Sequence, residues 1–125
     1  MTAQPSETPV EKHTRLAWKT LADAEREIEA GDYPQAAGKL WGAASHAMKS
    51  YCVSHGLPHS KYQHRRHAAF ELADQSGNPY VRAVFGIAES CHSNFYNDWM
   101  ERSHLEGYLP DIQEFVRIVL EARAG

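Results

Sequence analysis

Residues 33–55 read YPQAAGKLWGAASHAMKSYCVSH, and their spacing decides the fold. Plotted at 100° per residue, Ala36, Ala37, Leu40, Trp41, Ala43, Ala44, Ala47, Met48 and Tyr51 fall on one arc of a helix. Gly38, Gly42, Ser45 and Lys49 occupy the other side. Asp32 stands ahead of the run as a cap, and Gly56-Leu57-Pro58 ends it. Working upstream, Thr8-Pro9 opens an earlier helix whose stripe is Ala17, Leu21, Ala24 and Ile28. Gly31 stops that helix directly before Asp32, so the two helices must lie antiparallel.

Downstream, Ser60 to Ser76 forms a weakly amphipathic, heavily charged third block. Gly77-Asn78-Pro79 closes it and starts a fourth, in which Val81, Val84, Phe85, Ala88, Cys91, His92, Phe95 and Trp99 share a face. Ser103 and Glu106 suit a capping box for a fifth helix. Pro110 is expected to break or kink that helix, before a last stripe of Ile112, Phe115, Val116, Val119 and Leu120. β-Branched residues are sparse, no alternating run persists and no internal repeat is found. The expected fold is all-α: a single up-and-down bundle of four or five helices over residues 9–125, with residues 1–8 as a disordered N-terminal segment.

Composition bounds the function. The 125 residues carry 42% hydrophobic and 23% charged side chains and a net charge of −3. That suits one globular domain and argues against a generally basic nucleic-acid coat protein, though not against a local basic patch. No apolar run approaches a membrane span and MTAQPSETPV lacks a signal-peptide core, so a cytoplasmic location is expected. Cys52 and Cys91 lie in apolar helical patterns and read as reduced core thiols. Eight residues are His, which invites metal, acid–base and pH-switch chemistry.

The polar residues give several candidate sites. His92 falls in the apolar arc of the fourth helix, where it is either a core histidine with one hydrogen bond or part of a pocket with Asn94, Tyr96 and Trp99. Lys61, Arg65 and Arg66 open the third helix, where cations oppose the helix dipole; they read either as a solvated face or as an anion patch, with Tyr62 able to stack. On the same helix His64, His67, Glu71 and Asp74 share a face that could hold a divalent metal, or simply be wet. Gly38, Gly42 and Ser45 on the second helix, and Gly86, Ser90, Ser93 and Asn97 on the fourth, form small-residue stripes. They suggest close helix approach within the bundle or across a dimer, with His46 and Lys49 lining a dimer groove. No phosphate-cradling glycine loop, nucleophile elbow or metal-spaced cysteine pair is present.

The stretch EAGDYPQAAGKLWGAASHAMKSY, followed by SHGLPHS and CHSNFYNDW, resembles the HEPN superfamily of small helical proteins, in its PaREP-like branch. The resemblance runs from about Leu21 to Leu120, and its most specific pieces are Ala36–Ala44 and His92–Tyr96. It implies a dimeric four- or five-helix bundle. Members include toxin ribonucleases, often paired with a nucleotidyltransferase-type partner, and noncatalytic RNA- or nucleotide-binding modules. Nuclease members carry an Arg, four to six residues, then a His. Here Arg82 is followed at those offsets by Ile87, Ala88 and Glu89, and no other Arg meets a His at that spacing.

The expected function is therefore a dimeric binding module for RNA or nucleotide, without cofactor, metal or membrane. One alternative is a metal-independent ribonuclease, with His92 as acid or base and Arg82 or Arg102 stabilising the phosphorane. Another is a structural protein that binds a protein partner through the small-residue stripes.

Overall fold

Thr8 opens the first helix, α1 (Pro9–Ala30). Its hydroxyl accepts the Glu11 N–H at 3.1 Å, while Glu11 accepts the Thr8 N–H at 3.2 Å. The computed structural model describes residues 6–122. Four helices follow: α2 (Tyr33–Ser54), α3 (Tyr62–Ser76), α4 (Pro79–Asn97) and α5 (Arg102–Ala122). No strand occurs among the described residues, so the all-α bundle expected from the sequence is the fold observed. Residues 1–5, most of the expected N-terminal segment, and 123–125 lie outside the described residues.

The α1–α2 joint is built as the sequence predicts. Gly31 adopts a left-handed φ of 79°, and Asp32 accepts the Gln35 N–H at 3.2 Å. These two helices form the most extensive pair, and α2 packs against each of the other four. Its alanines 36, 37, 43, 44 and 47 are fully buried, which lets neighbouring backbones come close. Phe85, Phe115, Leu40 and Met48 are the bulkiest fully buried side chains. Burying each contributes roughly 1.5–3 kcal/mol. Surface ion pairs such as Arg15–Glu7 and Arg102–Glu29 contribute at most about 1 kcal/mol. The core therefore carries the stability. Both cysteines are buried and unpaired, and burial pushes Cys52 up to about 11 and Cys91 up to about 12.

Three local expectations are corrected. First, the apolar arc of α4 does not run on through Phe95 and Trp99, which are 38% and 50% exposed. The helix ends at Asn97, and Asp98 turns the chain with a φ of 47°. Asn94 takes the buried position instead, its side-chain oxygen accepting the Trp99 and Met100 N–H groups at 2.6 and 2.7 Å. Second, α5 starts near Ser103 as expected, at Arg102, but Ser103 and Glu106 do not form its capping box. The Glu101 N–H donates to His104 Nδ1 at 3.0 Å, while Glu106 pairs with Arg102. Third, of the break or kink expected at Pro110, the break does not occur, and α5 runs on to Ala122.

Candidate functional site: an aromatic cleft between α2 and α4

Trp41 sits at the edge of the buried arc of α2, half-buried, with one side of its ring near core Phe85 at 5.9 Å. Its other neighbours are Tyr62 at 5.9 Å, from the start of α3, and His92 at 4.9 Å, from α4. His92 in turn meets Tyr96 edge-on at 5.5 Å, and Tyr96 meets Phe95 edge-on at 5.0 Å. A continuous strip of rings thus crosses α3, α2 and α4. Tyr62, Phe95 and Tyr96 on it are 39%, 38% and 72% exposed. Rings left this open, side by side, are not part of the core.

The strip borders a cleft of about 330 Å³ lined by Trp41, His92, Phe95 and Tyr96, with Gln35, Gly38 and Lys39 from α2. Gly38 makes the cleft's shape possible, because a Cβ there would lie 2.6 Å from Phe95 Cδ2. Among the described residues no carboxylate lines it. Its polar groups are the Gln35 amide, the Lys39 ammonium, the Tyr96 hydroxyl and the His92 imidazole. Among the described residues no hydrogen bond engages that imidazole. The cleft can therefore stack a flat ring, hydrogen-bond its edge and offer one cation to an anionic group.

Of the residues grouped with His92 on sequence, only Tyr96 joins it. Asn94 is a buried turn-former, and Trp99 packs against His104, ring centres 5.7 Å apart. Neither Arg proposed for phosphorane stabilisation lines the cleft. Arg82 lies over the Phe70 ring and faces Asp74 at 3.4 Å, and Arg102 is bonded to Glu29 and Glu106.

The anion patch on α3 is split. Arg65 turns towards the α2–α3 loop, donating to the His59 carbonyl at 2.9 Å. Arg66 covers Phe70 and approaches Glu89 at 3.8 Å, and Lys61 is exposed at the helix start. His64 uses Nδ1 to accept the Lys61 N–H at 3.2 Å, and His67 faces Glu71 at 3.7 Å. No cluster of three metal-ligating side chains suited to an ion forms among the described residues.

The small-residue stripe of α2 meets other parts of the same chain. Gly38 meets Phe95, a Cβ on Gly42 would lie 3.0 Å from Thr20 Cγ2, and Ser45 is buried. His46 and Lys49 are half-buried, with His46 bonded to His13 of α1. On α4, Gly86 faces open space, Ser90 is half-buried, and Ser93 is exposed and accepts from Asn97. Sequence reasoning assigned Trp41 and Phe95 to the core and passed over Gln35 and Lys39. The available signal was Gly38 three residues before Trp41: a glycine costs about 1 kcal/mol inside a helix unless something must approach it.

The sequence profile of the archaeal PaREP1/PaREP8 family matches residues 12–116. The chain belongs to that family. The PaREP1/PaREP8 match extends from α1 into α5 and takes in every residue lining the cleft. No curated protein matches this PaREP1/PaREP8 sequence.

Proposed function

We propose that this protein is a noncatalytic binding module for single-stranded RNA or nucleotide, with a base stacked in the α2–α4 cleft. The observation that carries the reading is the exposed ring strip Tyr62–Trp41–His92–Tyr96–Phe95 beside Lys39. Every nucleobase has a π-face, so such a strip binds bases with little sequence preference. His92 is half-buried, and among the described residues no hydrogen bond uses its imidazole, as suits a hydrogen-bonding group for a base edge. Membership of the HEPN superfamily, a homodimer and a nucleotidyltransferase-type partner belong to the same proposal. With Gly42 against Thr20 of α1 and Ser45 buried, the dimer is placed on the α4 face at Gly86, Ser90 and Ser93.

The test is fluorescence anisotropy of a short labelled RNA of mixed sequence, at low and moderate salt. Binding that weakens with salt is expected, through counterion release. Tyr96→Ala, at an exposed position that spares the core, is expected to lose about 1–3 kcal/mol of binding free energy. Absence of binding at low salt, or equal binding by the variant, would refute the reading. Light scattering on the same samples reports whether the mass is that of one 14.1 kDa chain or of two.

A further inference from the structure

Six basic side chains from four segments meet on a face that shares no residue with the cleft. Lys12 and His13 come from α1, His46 and Lys49 from α2, His59 from the α2–α3 loop and Arg65 from α3. His13 Nδ1 lies 3.0 Å from His46 Nδ1, and the two rings stack with centres 5.3 Å apart. The His59 ring stands towards His13 at 6.0 Å. Arg65 is held in place by donating to the His59 and Ser60 carbonyls at 2.9 and 3.3 Å, and its Nε is buried with no partner.

Among the described residues no ion pair joins Lys12, Lys49 or Arg65 to a carboxylate. Glu7, whose charge is felt with that of Lys12, is already held by Arg15 at 2.7 and 3.1 Å. Elsewhere on the surface Arg15, Arg26, Arg102 and Arg117 all carry carboxylates. Burial and then the repulsion of neighbouring positive charge lower the basicity of His13 and Lys49, and burial lowers that of Arg65. Burial first and the Lys49 charge next push His46 down to about 4. Unpaired like charges brought together at partial burial destabilise a fold. The arrangement resolves when an anion enters.

We propose that Lys12, His13, His46, Lys49, His59 and Arg65 bind a phosphoryl group. The facing imidazoles alone would suit a metal ion, but the lysines and the guanidinium repel a cation. A carboxylate offers two oxygens, too few for donors converging from four segments. A phosphoryl dianion offers three or four oxygens and twice the charge, and guanidinium groups match its geometry. The phosphoryl group can be free phosphate, the end of a nucleotide or RNA chain, or a backbone phosphate. The inference does not rest on base stacking in the cleft.

The experiment is calorimetric titration of the full chain with inorganic phosphate in low-chloride buffer, with melting curves at each phosphate concentration. The wild type is expected to bind saturably with Kd below about 1 mM and to melt higher as phosphate rises. Lys49→Gln and Arg65→Gln are each expected to bind at least tenfold more weakly. Lys19→Gln, a surface lysine paired with Asp23, is expected to bind as the wild type does. Lys49→Gln without phosphate should melt no lower than the wild type, which separates lost binding from lost folding. Non-saturating binding, equal weakening by Lys19→Gln, or stoichiometric zinc retention without phosphate binding would overturn the proposal. Parallel titrations with a nucleoside monophosphate, and with RNA bearing a 5′-phosphate or a 5′-hydroxyl, name the source. Preference for the phosphorylated end identifies a terminal phosphate, equal binding of the two RNAs a backbone phosphate, and response to inorganic phosphate alone the free ion. Each of these three keeps the phosphoryl site.

Discussion

A methyl group added at Gly38 would come within 2.6 Å of Phe95 Cδ2, whereas one added at Gly86 would meet nothing within 4 Å. Both glycines lie inside helices, so alanine brings each about 1 kcal/mol of helix propensity. At Gly86 that gain is unopposed, and Gly86→Ala is expected to raise stability by about 0.5–1 kcal/mol in urea unfolding. If two chains associate through Gly86, the same change weakens the dimer in light scattering. At Gly38 the gain is offset by pushing the Phe95 ring aside, at about 1–3 kcal/mol. Gly38→Ala is therefore expected to melt at or below the wild type and to bind RNA more weakly, because Phe95 is driven from its place in the cleft. At the same scale lies the reason that Asn94 was misplaced. Its amide is spent on the backbone of the turn after α4, and that turn is set by Asp98 entering the left-handed region, which residue spacing does not announce.

At the scale of elements, the fold was legible where periodicity and punctuation agree. Gly31-Asp32 and Gly77-Asn78-Pro79 were read correctly as joints, and the stripe of α1 is buried residue for residue. Legibility failed where a helix has neighbours on several sides. For the Gly38–Gly42–Ser45 face of α2 the sequence leaves packing within the bundle and packing across a dimer both open, because a helix wheel does not show that α2 packs against four other helices. Two of the four rings of the cleft, His92 and Tyr96, are legible as an aromatic-polar cluster. Trp41 is not, because a ring at the margin of an apolar arc looks like core. The phosphoryl site was scattered over four segments, and only the helix pairing joins them. Pro110 shows how packing overrides local preference. It lies within α5 on the exposed side, where it removes one backbone donor, while Ile112, Phe115, Val116, Val119 and Leu120 stay buried. Pro110→Ala is expected to raise stability by up to about 3 kcal/mol, readable as a higher urea midpoint with unchanged slope.

The molecule as a whole should respond to mild acid through the α1–α2–α3 basic cluster. His46 has an ordinary value of 6.5 and is pushed down to about 4, and His13 shifts in the same direction. In that interval the unfolded chain binds more protons than the folded one, so stability falls as pH drops below about 6.5. The loss from His46 is complete only below about 4. The charged groups that act on it are Lys49 on α2, His13 and Lys12 on α1 and Arg65 on α3, and the His59 ring of the loop stands towards His13. Urea midpoints measured without phosphate are expected to decline from pH 7 to 5, and His46→Gln is expected to flatten that decline. A midpoint constant over this range would contradict the cluster's electrostatics. The two buried thiols have another use. Cys52 and Cys91, on different helices of one core, offer almost no thiolate to solvent at neutral pH while the bundle is closed. Their alkylation therefore keeps time for the opening of the bundle, a clock already present in the native sequence.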